Sequence, residues 1–232
     1  MKNAWNAGFT KETHTSVRKI SRTMRKKKLD NFKKWRDFAK ETGSIKSEYP
    51  PLTHSKELAE LIGVILGDGH ICAFPRTESL RIVGNSNNIG FAKRYAHIVE
   101  FVFGKKPHVA KRKNSNAINI TIYEKHISKR LKLPVGSREG KTFAVPKWIL
   151  REKVFILAYL RGLYEAEGSY SEHTPTYTYK FAFSNTNKSL LNNVTRLIKQ
   201  LGFHSCMTIR SVQVSRKDEV QKLKNLLEFR RY

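Results

Sequence analysis

Residues 60–71, ELIGVILGDGHI, read as an apolar helix that stops at an acid held between two glycines, Gly67-Asp68-Gly69. Residues 159–170, YLRGLYEAEGSY, repeat the outline 99 positions later, with Ala166, Glu167 and Gly168 in the same places. A helix C-terminus carries partial negative charge, so an acid is disfavoured there. Two such endings in one chain need a joint cause.

Small residues recur four apart just before each acid: Gly63 and Gly67, then Gly162 and Ala166. That spacing places them on one helical face, where a missing side chain lets another backbone approach. The two helices are therefore expected to pack on each other and bring Asp68 and Glu167 together with unpaired terminal carbonyls. Gly69 and Gly168 can take the left-handed conformation that ends a helix. Such a set of negative oxygens repels itself unless cations bridge it, and Mg²⁺ or Mn²⁺ suits hard oxygen ligands. Beside a phosphodiester, a metal so held activates water and stabilises the leaving oxygen.

Composition points to the same substrate. The chain of 232 residues has 45 Lys+Arg against 19 Asp+Glu, a formal charge of +26. That excess calls for a polyanionic partner, of which nucleic acid is the commonest. Cys72 and Cys206 are far apart with no CxxC, which fits a reducing compartment and excludes a zinc-finger cluster. No apolar run reaches the ~20 residues of a membrane span and no signal-peptide region opens the chain, so a cytoplasmic, nucleoid-associated protein of a bacterium or archaeon is expected, with no membrane partner.

The chain divides by pattern. Residues 1–46 form a basic helical arm, 47–55 a linker stiffened by Pro50 and Pro51, 56–132 a first half, 133–150 a connector and 151–232 a second half. Residues 1–50 hold 14 Lys+Arg and 5 Asp+Glu, a net of 14 − 5 = +9. In the arm, Thr10 with Glu12 and Thr13 reads as a helix start, and Val17, Ile20 and Met24 make a narrow stripe. Leu29, Phe32, Trp35 and Phe38 are spaced for one face of a second helix ending near Gly43. Beyond the linker each half reads α-β-β-α-β-β-α, and the joints NSNN at 85–88 and NTNK at 185–188 match, offset by 100. The chain has the outline of a pseudo-dimer in one polypeptide.

LIGVILGDG at 61–69 and LRGLYEAEG at 160–168 align without gaps with the nine-residue signature of the LAGLIDADG homing endonucleases. The chain resembles the single-chain, two-motif members of that family over about residues 56–232. The resemblance implies an α+β fold: two pseudo-symmetric αββαββα halves, motif helices paired at the interface, and antiparallel sheets forming a saddle in the DNA major groove. It implies metal ligation by Asp68 and Glu167 with the carbonyls of Gly67 and Ala166, and places Asn85 and Asn185 near the scissile phosphates. His70 and Tyr170 stand near one expected position of the family's pocket lysine; Lys111, Lys113, Lys141 and Lys188 are the lysines that could serve. The arm is similar to the short modular DNA-binding segments attached to homing nucleases.

A sheet in a groove sends alternate side chains to the DNA. Arg76, Arg81, Lys111, Arg112, Lys113, Lys180, Arg210 and Gln213 are on or beside predicted strands and are candidates for that surface, mainly through phosphates. Tyr177, Tyr179, Phe181 and Phe183 are expected in the core. His70, His108 and His173 form no zinc grouping.

The expected activity is metal-dependent, site-specific cleavage of double-stranded DNA by a monomer on a long asymmetric target, in the service of intron mobility. The rival is a non-cleaving regulator, or an intron RNA maturase, on the same scaffold. The chain lacks an intein's splicing Cys or Ser/Thr start and terminal His-Asn.

Overall fold

The structure, a computed structural model, describes residues 4–30 and 32–232. It divides into two compact units, one up to Tyr49 and one from Pro50 to Tyr232.

The first unit holds helices α1 (Thr15–Lys26) and α2 (Lys33–Glu41). Thr10 does not start α1. Its hydroxyl is spent in a turn, accepting from the Glu12 nitrogen at 3.2 Å and the Thr13 nitrogen at 3.3 Å. The helix begins after His14, whose Nδ1 accepts from Ser16. The apolar stripes are not covered: α1 buries none of its residues, α2 buries Ala39, and Leu29, Phe32, Trp35 and Phe38 remain exposed.

The second unit repeats one topology. Its first half runs α3 (Lys56–Asp68), β1 (Gly69–Phe74), β2 (Thr77–Asn85), α4 (Ile89–Phe103), β3 (His108–Lys111), β4 (Ala117–Glu124), α5 (Ile127–Leu131). Its second runs α6 (Lys153–Glu167), β5 (Gly168–His173), β6 (Thr178–Ser184), α7 (Lys188–Gln200), β7 (Cys206–Met207), β8 (Ser211–Val214), α8 (Lys217–Leu226). Both antiparallel sheets have the same strand order, β1-β2-β4-β3 and β5-β6-β8-β7.

Local chemistry sets these boundaries. Ser55 caps α3 by accepting from the Leu58 nitrogen at 3.1 Å, Asn88 caps α4 through Phe91 at 3.1 Å, and Asn187 caps α7 through Ser189 at 3.0 Å. Strand alternation sends Leu80, Ile82 and Ile120 inward in the first half, and Tyr179, Phe181, Phe183, Val212 and Val214 in the second. Three of the four expected aromatics are thus core; Tyr177 is 78% exposed at the hairpin turn with φ +50°.

Helices α3 and α6 are buried along most of their length because each packs on the other as well as on its own sheet. The expected interface residues meet there: a Cβ on Gly63 would come within 3.1 Å of Gly162 Cα, and one on Gly67 would overlap the Ala166 methyl. Asymmetry enters through ions. Glu60 of α3 accepts two bonds from Arg94, at 2.7 and 2.6 Å, and lies 3.6 Å from Arg161 of α6. Tyr159 occupies the matching place in α6. No helix among the described residues is long and apolar enough to cross a membrane, and both cysteines are free.

Candidate metal and nucleic-acid site

Asp68 and Glu167 end α3 and α6 and interact electrostatically. Burial, then the neighbouring Glu167, pushes the Asp68 carboxyl up to about 6 against the pull of Arg138. Burial likewise raises the Glu167 carboxyl, again opposed by Arg138. Asp68 is nonetheless solvent-exposed as a residue, so its desolvation is partial. Two acids held this way favour a bound cation.

The glycines after the acids serve differently from expectation. Gly69 (φ −90°, ψ 155°) and Gly168 (φ −87°, ψ 148°) are extended, not left-handed. Each helix passes directly into a strand, which requires extended backbone. Glycine is needed for space: a Cβ on Gly69 would lie 2.5 Å from Ile65 Cα, and one on Gly168 would lie 2.9 Å from Tyr164 Cα.

The carbonyls at the end of α3 are also not unpaired. The Arg138 guanidinium donates to the Ile65 carbonyl, to Gly67 at 3.2 Å and to Gly69 at 2.6 Å. Arg138 comes from the connector, which is a strap more than a spacer. Gly136 donates to Ile71 of β1 at 2.9 Å, and further along Phe143 donates to Ser189 of α7 at 2.9 Å. The second half has a counterpart in Arg230, whose guanidinium reaches the Gly168 carbonyl at 3.4 Å. The Arg230 nitrogen donates to Glu165 at 2.7 Å, and Tyr232 also bonds Glu165. Neither arginine carries a local sequence signal, since neither lies near a motif in the chain.

On the Asp68 side a cavity of about 450 Å³ is lined by Asp68, Asn85, Asn87, Ala166 and Arg230 among others. Asn85 ends β2 inside the ladder, opposite Ala117, and its side-chain oxygen accepts from the Asn87 nitrogen at 2.9 Å. Its amide is left as a donor. Asn185 is not its equivalent in register. Gly69 pairs with Ile82 and Gly168 with Phe183, so Asn185 matches Gly84, and it follows the end of β6.

The ladders decide which candidates share the sheet surface opposite the core. His70, Arg81, Thr121 and His108 form one row across the first sheet, and Ser169, Ala182, Gln213 and Cys206 the corresponding row of the second. Lys180, opposite Ser171, lies on that same surface. Lys111 does not: it pairs with Ile118 in the row of Gly84, at an exposed edge. Arg76, Arg112, Lys113 and Arg210 are exposed in hairpin turns, Lys141 is exposed in the connector and Lys188 at the start of α7.

Tyr170 is a correction. It pairs with Phe181 on the core side, donates to Glu172 at 2.7 Å, accepts from Gln221 at 2.7 Å and lies under Lys224. The residue matching His70 is Ser169, because the motif offset of 99 holds through the strand.

Among the described residues no group of three or more His, Cys, Asp or Glu could hold a metal. Two carboxylates plus backbone oxygens are too few and too hard for a structural zinc site. They fit Mg²⁺ or Mn²⁺, which keep waters and take phosphate oxygens.

These features define a class: a single chain with two acid-ended helices paired between two αββαββα halves. Comparison places that class. Residues 154–232 match the model of the LAGLIDADG-like domain family. The two halves together have the fold of LAGLIDADG domains of known structure. The structure is similar to a mesophilic variant of the homing endonuclease I-DmoI (TM-score 0.53, 18% identity, 74% of this chain and 94% of that one) and to I-DmoI in complex with DNA and Mn (TM-score 0.53, 18%, 74% and 96%). It is also similar to full-length DUF199/WhiA from Thermatoga maritima (TM-score 0.53, 14%, 78% and 58%). In sequence, 121 residues are 27% identical to a glutamine–fructose-6-phosphate aminotransferase of Methanocaldococcus jannaschii, a match covering 51% of this chain and a tenth of that protein's length.

Proposed function

We propose that the chain is a metal-dependent, site-specific endonuclease for double-stranded DNA. The observation that carries this reading is the pairing of Asp68 and Glu167 at the ends of two closely packed helices. Both carboxyls are harder to ionise than free ones, an arrangement that is costly unless a cation is bound.

Asp68 and Glu167, with the Ala166 and Gly67 carbonyls, would hold Mg²⁺ or Mn²⁺. A cation bound there supplies Lewis acidity to the attacking water and to the scissile phosphodiester. The chain's own groups do the positioning. The Asn85 amide can donate to a phosphate oxygen in the cavity beside Asp68. Arg230 lines the same cavity and offsets phosphate charge. His70, Arg81 and Lys180 present donors along the sheets. The excess of positive charge draws the duplex in.

The second reading is a DNA-binding regulator or intron RNA maturase that does not cut. The observation favouring it is Arg138, which already donates to the Gly67 carbonyl. Incubation with a library of long duplex sites, with Mg²⁺ or with chelator, separates the two. Double-strand breaks at a single sequence, dependent on Mg²⁺, are expected. Tight binding of one sequence without cleavage in Mg²⁺ or Mn²⁺ would establish the second reading.

A further inference from the structure

Arg138 makes the two ends of the motif helices unequal. At the end of α3 its guanidinium donates to three successive odd-numbered carbonyls, Ile65, Gly67 and Gly69. At the end of α6 the matching arginine, Arg230, reaches Gly168 alone, at 3.4 Å, and no described side chain donates to the Ala166 carbonyl. The acids sort with these carbonyls. Asp68 and Ala166 line one cavity together with Asn85, whereas Gly67 packs on the Glu167 side chain, 3.2 Å separating the Glu167 Cγ from a Cβ built on Gly67. One centre is thus Asp68 with the Ala166 oxygen, and the other is Glu167 with the Gly67 oxygen.

We propose that in the free chain the Asp68 centre is open to a divalent cation while Arg138 holds the Glu167 centre closed. The inference rests on the metal reading given above. A guanidinium proton on the Gly67 oxygen competes with a cation for the same lone pairs, whereas the Ala166 oxygen carries no such proton from a described side chain; the guanidinium charge acts on both acids and does not separate the centres. A duplex phosphate relieves the competition. Guanidinium binds phosphate through charge-assisted, two-pronged bonds that are stronger than bonds to neutral carbonyls. DNA therefore draws Arg138 off Gly67 and opens the second centre.

Mn²⁺ titration of the free, full-length chain at low ionic strength, followed by the electron spin resonance of unbound Mn²⁺, tests this without any cleavage. Wild type should take up one Mn²⁺ per chain. Changes beyond the ligands themselves cost about 10- to 100-fold in metal affinity, so Asp68→Asn should weaken that Mn²⁺ by at least about tenfold. Glu167→Gln should leave it nearly unchanged. Arg138→Met should add a second Mn²⁺ of similar affinity, lost again in Arg138→Met/Glu167→Gln. Two equivalent Mn²⁺ in wild type, or equal losses from Asp68→Asn and Glu167→Gln, would overturn the proposal while leaving the metal reading intact. These two comparisons stand even if Arg138→Met folds poorly. No Mn²⁺ uptake by wild type, with or without non-specific duplex, would remove the metal reading and the proposal together.

Discussion

Gly63 and Gly162 meet where α3 and α6 cross, with no room for a side chain on either. A Cβ on Gly63 would stand 3.0 Å from the Leu163 nitrogen, and one on Gly162 would stand 2.7 Å from the Val64 nitrogen. The obstacles are backbone atoms, which cannot turn aside as a flexible side chain would. Over-packing of a core costs typically about 1–3 kcal/mol, and a backbone clash belongs at or beyond the top of that range. Gly63→Ala and Gly162→Ala should each lower stability by about that upper value in urea unfolding, and Gly162→Leu should move the acids apart and abolish cleavage. An alanine variant as stable as wild type would show that the helices are not in this contact.

The acids should behave as ligands and not as struts. Asp68→Asn and Glu167→Gln remove a negative charge close to where phosphate must sit, so neither should weaken the encounter with DNA. Each is expected to abolish double-strand cleavage, with duplex affinity equal to wild type or higher in a filter-binding or anisotropy titration. Loss of binding together with cutting, in a variant that still folds, would assign these acids a structural role.

The same strain predicts a pH dependence in metal-free protein. The folded carboxyl of Asp68 titrates near 6, against an ordinary value of 3.8. Between those values the folded chain holds more protons than the unfolded one, so this group's contribution makes stability fall as pH rises from about 4 to 6 and stay level above. Asp68→Asn should remove that slope. Because Asp68 is solvent-exposed, the gain above pH 6 is discounted to at most about 1 kcal/mol, or about 2–4 °C in Tm for a chain of this size. Melting in chelator at pH 4 and pH 7 checks it: the variant should match wild type at the lower pH and exceed it at the higher. An Asn variant less stable than wild type at pH 7 would contradict the sign.

The two sheets predict an asymmetric target. The row nearest the acid in the first sheet is His70, Arg81, Thr121 and His108; its counterpart is Ser169, Ala182, Gln213 and Cys206. The first row carries Arg81 and two histidines, and the second carries no charged group, so the two half-sites meet different chemistry. Arg81→Ala should relax sequence preference in one half-site only, read from the cleaved members of a randomised duplex library. Sedimentation should find one protein chain per duplex. A palindromic preference or two chains per site would sink the single-chain model.

What could be read from the sequence, and what could not, follows physical lines. The repeat, the four strands per half and the helix interface were visible because residues adjacent in the chain create them: Asn88 and Asn187 cap helices, and alternation places Phe181 and Phe183 inward. Features built by distant segments were hidden. Arg138 is about 70 residues from the carbonyls it binds, and Arg230 about 60 from its own, with no local pattern announcing either. Gly69 misled for another reason. Glycine serves both a left-handed turn and a tight approach, and only the direction of the following strand separates the two. Tyr170 stands close to the place of His70 when counted from the motif, but a shift of one position in a strand moves a side chain to the other face.

The basic arm gives the last prediction. Helix α1 carries Arg18, Lys19, Arg22, Arg25 and Lys26, with no residue buried, and residues 1–50 hold a net of 14 − 5 = +9. Such a surface has little to gain from self-association and much from a polyanion. Each phosphate it neutralises releases condensed counterions and steepens the fall of affinity with salt by about 0.9 per contact on a log–log plot. Deleting residues 1–46 should therefore weaken duplex binding and flatten that slope by several contacts' worth. Cleavage at low salt should survive, because Asp68 and Glu167 lie outside the deleted segment. Substituting Trp35 and Phe38 by Ser should help to separate charge from shape: these exposed aromatics can stack or wedge against DNA, and their loss should lower affinity without changing the salt slope. A truncated chain with the slope of the full one would mean that the arm stays off the duplex and that the sheets and turns of the second unit make every phosphate contact.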